Sequence, residues 1–147
     1  MSGVMGFNGK IYVKISGTYT EVKIVGDVNV VKKSGESEVT TRNDAGCRTW
    51  ARGLREYGCS FMLQKRKGHA GYNALRDAWR DDDATLDIIV ADGDRTANGT
   101  DQIAMTVQVF DFSEDQKLGD AMVNNVVLKP TWSDTAPTES SITTAAP

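Results

Sequence analysis

Apolar and polar positions alternate with period two in Gly53–Leu63 and Gln102–Phe112, and the period changes to three and four between Tyr72 and Trp79. Lys10–Ile15 is β-branched and aromatic enough to predict a strand, with Ser16-Gly17 turning the chain behind it. Tyr19–Val31 predicts a second strand region bent at Gly26-Asp27. A polar turn at Lys32–Gly35 and a short strand over Glu38–Arg42 follow, then a loop over Asn43–Arg52 that holds Gly46 and Trp50. In Gly53–Leu63, Tyr57, Cys59, Phe61 and Leu63 share one face, the pattern of a strand with a buried side. Tyr72, Leu75, Ala78 and Trp79 then recur at helical spacing and predict one amphipathic helix over Ala70–Arg80, stopped by Asp81-Asp82-Asp83. Leu86–Ala91, Gln102–Phe112 and Ala121–Lys129 predict three more strands, and Asp92-Gly93-Asp94 and Asn98-Gly99-Thr100 are turns of the kind that join antiparallel neighbours. In Gln102–Phe112 the alternation puts Ile103, Met105, Val107 and Val109 on one face and Thr106, Gln108, Phe110 and Phe112 on the other.

Seven or eight strands and one helix predict a mainly β domain, an antiparallel sandwich or open barrel with the helix packed on one flank. Residues 1–9 read as a glycine-containing arm, 10–132 as the domain, and 133–147, rich in Thr, Ser, Ala and Pro, as an extension that needs a holder to be ordered. A neighbouring subunit is one candidate for that holder.

The 147 residues suit a single domain, and a net charge of −3 names no partner. The distribution of charge says more. From Arg42 to Lys67 seven basic residues face two acidic ones, Asp44 and Glu56, whereas from Asp77 to Asp120 twelve acidic residues face Arg80, Arg95 and Lys117. That asymmetry lets the basic stretch of one copy meet the acidic stretch of the next. No stretch approaches the roughly 18 apolar residues of a membrane helix, so no membrane partner is expected. Met1–Phe7 lacks a basic start and an apolar run, so Cys47 and Cys59 are expected to be reduced in a cytoplasm.

Catalytic chemistry finds little support. His69 is the only histidine and has no Ser or Cys nucleophile motif beside it, which makes it a surface or helix-start residue. Gly3, Gly6 and Gly9 precede a strand, whereas a phosphate loop opens a helix. Asp81–Asp83 with Asp92 and Asp94 lack the spacing of a calcium loop and read as a solvated acidic edge. The basic run Lys65-Arg66-Lys67 is not accompanied by a nucleic-acid-binding motif. No enzyme, cofactor or metal is expected.

Several short strings in fixed order resemble the major tail, or tail tube, proteins of long-tailed bacteriophages. They are Asn8-Gly9-Lys10-Ile11-Tyr12; Glu38-Val39-Thr40-Thr41-Arg42, a glycine-containing loop, Trp50 and Gly53-Leu54; Phe61; Ala74-Leu75-Arg76-Asp77-Ala78-Trp79; Met105–Phe112; and Val127-Leu128-Lys129-Pro130-Thr131-Trp132. The resemblance spans residues 8–132. Cys47–Arg55 and Lys65–Lys67 are more basic than that family's pattern. The resemblance implies a virion structural subunit, made in the bacterial host and assembled with itself into stacked hexameric rings. It further implies contacts with tape-measure, tail terminator and baseplate or distal tail proteins, and a lumen that passes genomic DNA without reading its sequence. Tubes of contractile tails, phage-derived injection devices and type VI secretion share the architecture. On this reading Val39, Thr40, Thr41, Arg42 and Trp50 form a strand and loop reaching an adjacent subunit, and Arg66 and Lys67 belong to the basic side of a ring-to-ring contact. A wall over which DNA slides should avoid multidentate Lys and Arg contacts to phosphate, so Gln108 and Asn124 are the expected lumen-facing positions. A monomeric β-barrel module binding nucleic acid or carbohydrate is the alternative.

Overall fold

A computed structural model describes residues 6, 9–43 and 45–142. The expected arm 1–9 therefore lies outside the described residues except at Gly6 and Gly9, as do the last five positions of the extension. Among the described residues the elements are β1 (Lys10–Ile15), β2 (Thr18–Glu21), β3 (Val25–Glu38), β4 (Trp50–Gln64), α1 (Ala70–Arg80), β5 (Leu86–Ala91), β6 (Asp101–Asp115), β7 (Val123–Pro130) and β8 (Thr138–Ser141). The strands form one antiparallel sheet in the order β2-β1-β5-β6-β7-β4-β3, with β8 also paired to β6. The expected mainly β fold with one flanking helix is what the chain adopts.

The sheet curls because its two end strands, β2 and β3, are consecutive in the chain. Only Val22–Ile24 separates them. Val22 N–H donates to the Ile11 carbonyl at 2.8 Å and Gln64 N–H to the Ile24 carbonyl at 3.1 Å, so this connector bridges the opposite ends of the sheet and makes an open barrel. The β1–β2 turn is Ser16-Gly17, both at positive φ (51° and 83°), the two-residue geometry that matches strand twist.

The core lies inside the curl. Residues of β1, β4, β5, β6 and β7, among them Val13, Leu63, Ile88, Val107 and Leu128, are fully buried there, and α1 closes it with Tyr72, Leu75 and Ala78. The helix covers the predicted residues. His69 is its N-cap: Nδ1 accepts from the Gly71 N–H at 3.1 Å, which is the helix-start role expected of it. Asp81 caps the other end, its N–H donating to the Asp77 carbonyl at 3.1 Å.

Four expectations are corrected. Lys32–Gly35 is not a turn but the middle of β3, with Lys32–Ser34 paired to Arg55–Tyr57 of β4 and Gly35 at a register shift; it is polar because both its faces meet solvent. The strand expected over Glu38–Arg42 stops at Glu38, and residues 39–42 belong to the connection between β3 and β4. Trp50 opens β4 instead of lying in a loop. In β6 a register shift between Val109 and Asp111 inserts one residue, which returns Phe112 to the core side, 6.0 Å ring to ring from Tyr72, and leaves Phe110 outside.

Candidate assembly surfaces

β3 and β4 continue well past the body of the barrel as a two-stranded arm. From Lys32 to Glu56 every described residue except Thr49 is exposed, on both faces of the ribbon. Its last cross-strand pairs are Glu36 with Arg52, Ser37 with Ala51 and Glu38 with Trp50. Gly35 and Gly53 face one another where the ladder shifts register, and a Cβ on Gly53 would stand 3.3 Å from the Gly35 carbonyl, so the two backbones approach closely and bend the arm there. A two-stranded ribbon with no covered face is marginal alone in water.

The tip is organised by short hydrogen bonds. Val39 N–H donates to the Thr49 carbonyl at 2.9 Å, Thr49 N–H to Thr40 Oγ1 at 3.0 Å, and Thr40 Oγ1 to Glu38 Oε1 at 3.0 Å. Arg48 Nε is 3.9 Å from the same Glu38 carboxylate. Val39, Thr40, Thr41, Arg42 and Trp50 are thus brought together, with Val39, Trp50 and Leu54 leaving 48, 56 and 91% of their surface to solvent.

Arg66 and Lys67 are elsewhere. They follow the opposite end of β4, and 15 residues of strand separate that end from Trp50, about 50 Å of extended chain. The basic stretch 42–67 is therefore two surfaces, at opposite ends of one strand. Around the second, Lys65 forms an ion pair with Glu114; its hydrogen bond to that carboxylate raises the lysine pKa and holds Glu114 below the usual carboxylate range. The β6–β7 turn lies at the same end, since Gln64 pairs with Val123 and Val123 with Asp115.

The two expected lumen positions differ in environment. Gln108 is half-buried on the outer face of β6, opposite Lys129, and its Nε2 donates to the Asp82 carbonyl at 3.4 Å. Asn124 shares the inner face of β7 with Val126 and Leu128, is 2% exposed, and has a buried Oδ1 without a partner among the described residues. It belongs to the core wall, because period two assigns it to the same side as its apolar neighbours.

Sequence reading gave no hint of three further features. β8 runs along the edge of β6 that β7 leaves free, so the extension is held by its own chain. Glu139 ties it down: its carboxylate accepts from Lys32 at 2.7 Å and from Tyr57 Oη at 3.0 Å, which lowers its pKa. Beside it, a cavity of about 1230 Å³ opens at the seam between β3 and the β1–β5–β6 wall, lined by Ile11, Val28, Val30, Val90, Ile103 and Glu139 among others. On the outer face of β1 and β2, Arg95 stacks over Tyr19 at 4.7 Å and Tyr12 at 5.4 Å. Cys59 is buried and its thiol is pushed up to about 12 by that burial, which makes it inert; Cys47 is exposed at the arm tip. Among the described residues no three His, Cys, Asp or Glu side chains gather where a metal could sit, and no helix is long and apolar enough to cross a membrane.

The fold is that of tail-tube subunits. The chain superposes on the subunit of the SPP1 tail tube with a TM-score of 0.72 at 15% identity, covering 95% of this chain and 80% of that one. On a subunit from the tail of an empty gene transfer agent particle, refined with C6 helical symmetry, the TM-score is 0.75 at 11% identity, covering 95% and 98%. A chain in the six-fold symmetrised baseplate of the anti-feeding prophage gives 0.65 at 5% identity, covering 96% and 97%. Comparison with protein-family models and with curated protein sequences finds no match.

Proposed function

We propose that this chain is a structural subunit of a phage tail tube, assembling with itself into stacked, hexameric rings whose lumen conducts DNA. The observation that carries the reading is the arm. An exposed two-sided ribbon presenting Val39, Trp50 and Leu54 has nothing among the described residues to cover it, so a second subunit supplies what a stable ribbon needs. The fold agrees with this, since similar chains are subunits of assembled tails, one with C6 symmetry and another in a six-fold baseplate. The free edge of β3 adds a second reason: an unpaired strand edge is either blunted or paired, and a closed ring pairs it with an identical neighbour.

The work is assembly, with no bond made or broken, and the partners are further copies of the chain, tape-measure, terminator and baseplate proteins in the virion tail, and the DNA that passes. Purified protein examined by negative-stain microscopy should form rings and tubes as concentration rises. A species that sediments as a monomer at every concentration would overturn the proposal in favour of a monomeric binding module.

A further inference from the structure

The connection between β5 and β6 carries Asn98-Gly99, exposed at both residues. Gly99 has a φ of 91°, and a Cβ built there meets nothing within 4 Å, so solvent reaches the dipeptide. Asparagine before glycine is prone to lose its side-chain amide, because no Cβ hinders the glycine nitrogen as it approaches the amide carbon. In that reaction the Gly99 nitrogen gives its proton to water and attacks Asn98 Cγ, forming a new C–N bond. The Cγ–Nδ2 bond breaks, and the nitrogen takes up a proton and leaves as ammonia. The five-membered imide then adds one water at either carbonyl and opens to an aspartyl or isoaspartyl linkage at position 98. One water is consumed, one ammonia is released, and a neutral amide becomes a carboxylate.

In the folded subunit the attacking nitrogen is engaged. Gly99 N–H donates to the Ile142 carbonyl at 2.8 Å, and Ile142 N–H donates to the Thr100 carbonyl at 2.7 Å. Ile142 directly follows β8, so these two bonds carry the β6–β8 ladder one step beyond the Ser141–Asp101 pair. Giving up the proton breaks the first bond, and swinging the nitrogen toward Cγ breaks the pair. Ring closure therefore waits until the end of β8 lets go. β8 can do so without unfolding the barrel: its four residues are exposed and none belongs to the core. It is held by its ladder with Asp101–Ala104, by the Ser141 hydroxyl on the Asp101 carboxylate, and by Glu139, gripped by Lys32 of β3 and Tyr57 of β4. An edge segment of this kind opens locally at a fraction of the cost of global unfolding.

We propose that Asn98-Gly99 is a deamidation site that the C-terminal extension holds shut, its reaction paced by the undocking of β8. The product loosens β8 in turn. It adds a negative charge to a connection that already carries Asp92 and Asp94 and leads into Asp101, and an isoaspartyl linkage lengthens the main chain beside the Gly99–Ile142 bond. Undocking and modification thus reinforce each other, and because the change is one-way the dipeptide records how long the extension has been released. The site is complete within one chain and does not depend on tube assembly.

The test follows isoaspartyl content and mass of the full chain during incubation in mildly alkaline buffer, with peptide mapping to locate the change and Asn98→Ser to abolish it. The folded parent should react about tenfold or more slowly than the same chain unfolded in urea, in proportion to the time β8 spends open. Glu139→Lys sets a like charge against Lys32, and Ile142→Pro removes the N–H that reaches the Thr100 carbonyl. Either should bring the folded chain to within about threefold of the urea rate, with a melting temperature near the parent's, since neither side chain is part of the core. A folded parent that reacts as fast as the unfolded chain overturns the proposal, as do two variants that react no faster than the parent. So does a chain that stays unmodified at position 98 even in urea.

Discussion

Replacing Trp50 by alanine separates assembly from folding. Trp50 keeps 56% of its surface exposed in the subunit, about 140 Å² on the area of a tryptophan. Burying all of it is worth about 3.5 kcal/mol at the usual apolar coefficient. Alanine recovers a fraction of that, so the contact should lose about 2–3 kcal/mol per subunit, the range of an aromatic hot spot. The concentration needed for tube growth then rises about 30- to 150-fold. Unfolding of the isolated subunit should move by no more than about 0.5 kcal/mol, because the arm has no core beneath it. Leu75, fully buried between the helix and the barrel, is the contrasting control. Leu75→Ala should cost about 2–5 kcal/mol of subunit stability. The assay pairs urea unfolding, in conditions that keep the protein dissociated, with light scattering of growing tubes. A Trp50→Ala protein that unfolds outright, or one that polymerises like the parent, refutes the assignment of the arm to assembly.

Three further substitutions probe the subunit. A Cβ on Gly71 would stand 3.0 and 3.1 Å from the two methyls of Val22, where the helix start presses on the connector that closes the barrel; Gly71→Ala should destabilise by about 1–2 kcal/mol despite alanine's helix preference, and Val22→Ala in the same chain should recover most of it in a double-mutant cycle. Asn124→Leu removes a buried, unpartnered amide oxygen from an apolar wall, so the urea midpoint should rise, by about 1 kcal/mol of stability; a fall of that size would show that the amide is needed where it is. Glu139 has its pKa depressed by Lys32 and Tyr57, so its hold on β8 is complete above the ordinary glutamate range near 4.5 and is lost as pH falls through the depressed value. Amide exchange at Thr138–Ser141, corrected for intrinsic rate, should accelerate on acidification in that window, and Glu139→Gln should flatten the dependence.

Legibility in the sequence followed burial. The helix, the core face of β4 from Tyr57 to Leu63 and that of the first half of β6 are visible as periodicity because one side of each is apolar, whereas β1 and β5, apolar on both faces, are visible as β-branched runs. The turn at Ser16-Gly17 is visible because its backbone demands particular residues. The β6 bulge was hidden, since Phe110 and Phe112 are alike in composition and only the pairing with β7 shows which one is displaced. Asn124 misled because a polar side chain in an alternating strand is read as facing out, and nothing local distinguishes a polar residue on the wrong face. β8 has no apolar face at all; its place comes from an edge that β7 vacates far away in the chain.

The arm is the strongest case of this dependence. Its strands carry no apolar side because nothing among the described residues lies there for such a side to cover, so Lys32–Gly35 reads as a turn and Trp50 as a loop residue. The misreading is itself informative. A segment that forms a long paired ladder and still lacks a strand's hydrophobic pattern owes its structure to backbone pairing, and its scattered Val39, Trp50 and Leu54 have no intramolecular use. On the proposed function, exposed apolar side chains on such a ribbon serve a contact outside the subunit. The same reasoning applies to Leu118 at the other end, fully exposed on a turn whose conformation does not require a leucine. Two such surfaces lie on opposite ends of one sheet, so the departures from β patterning mark the exposed apolar side chains that the core does not explain.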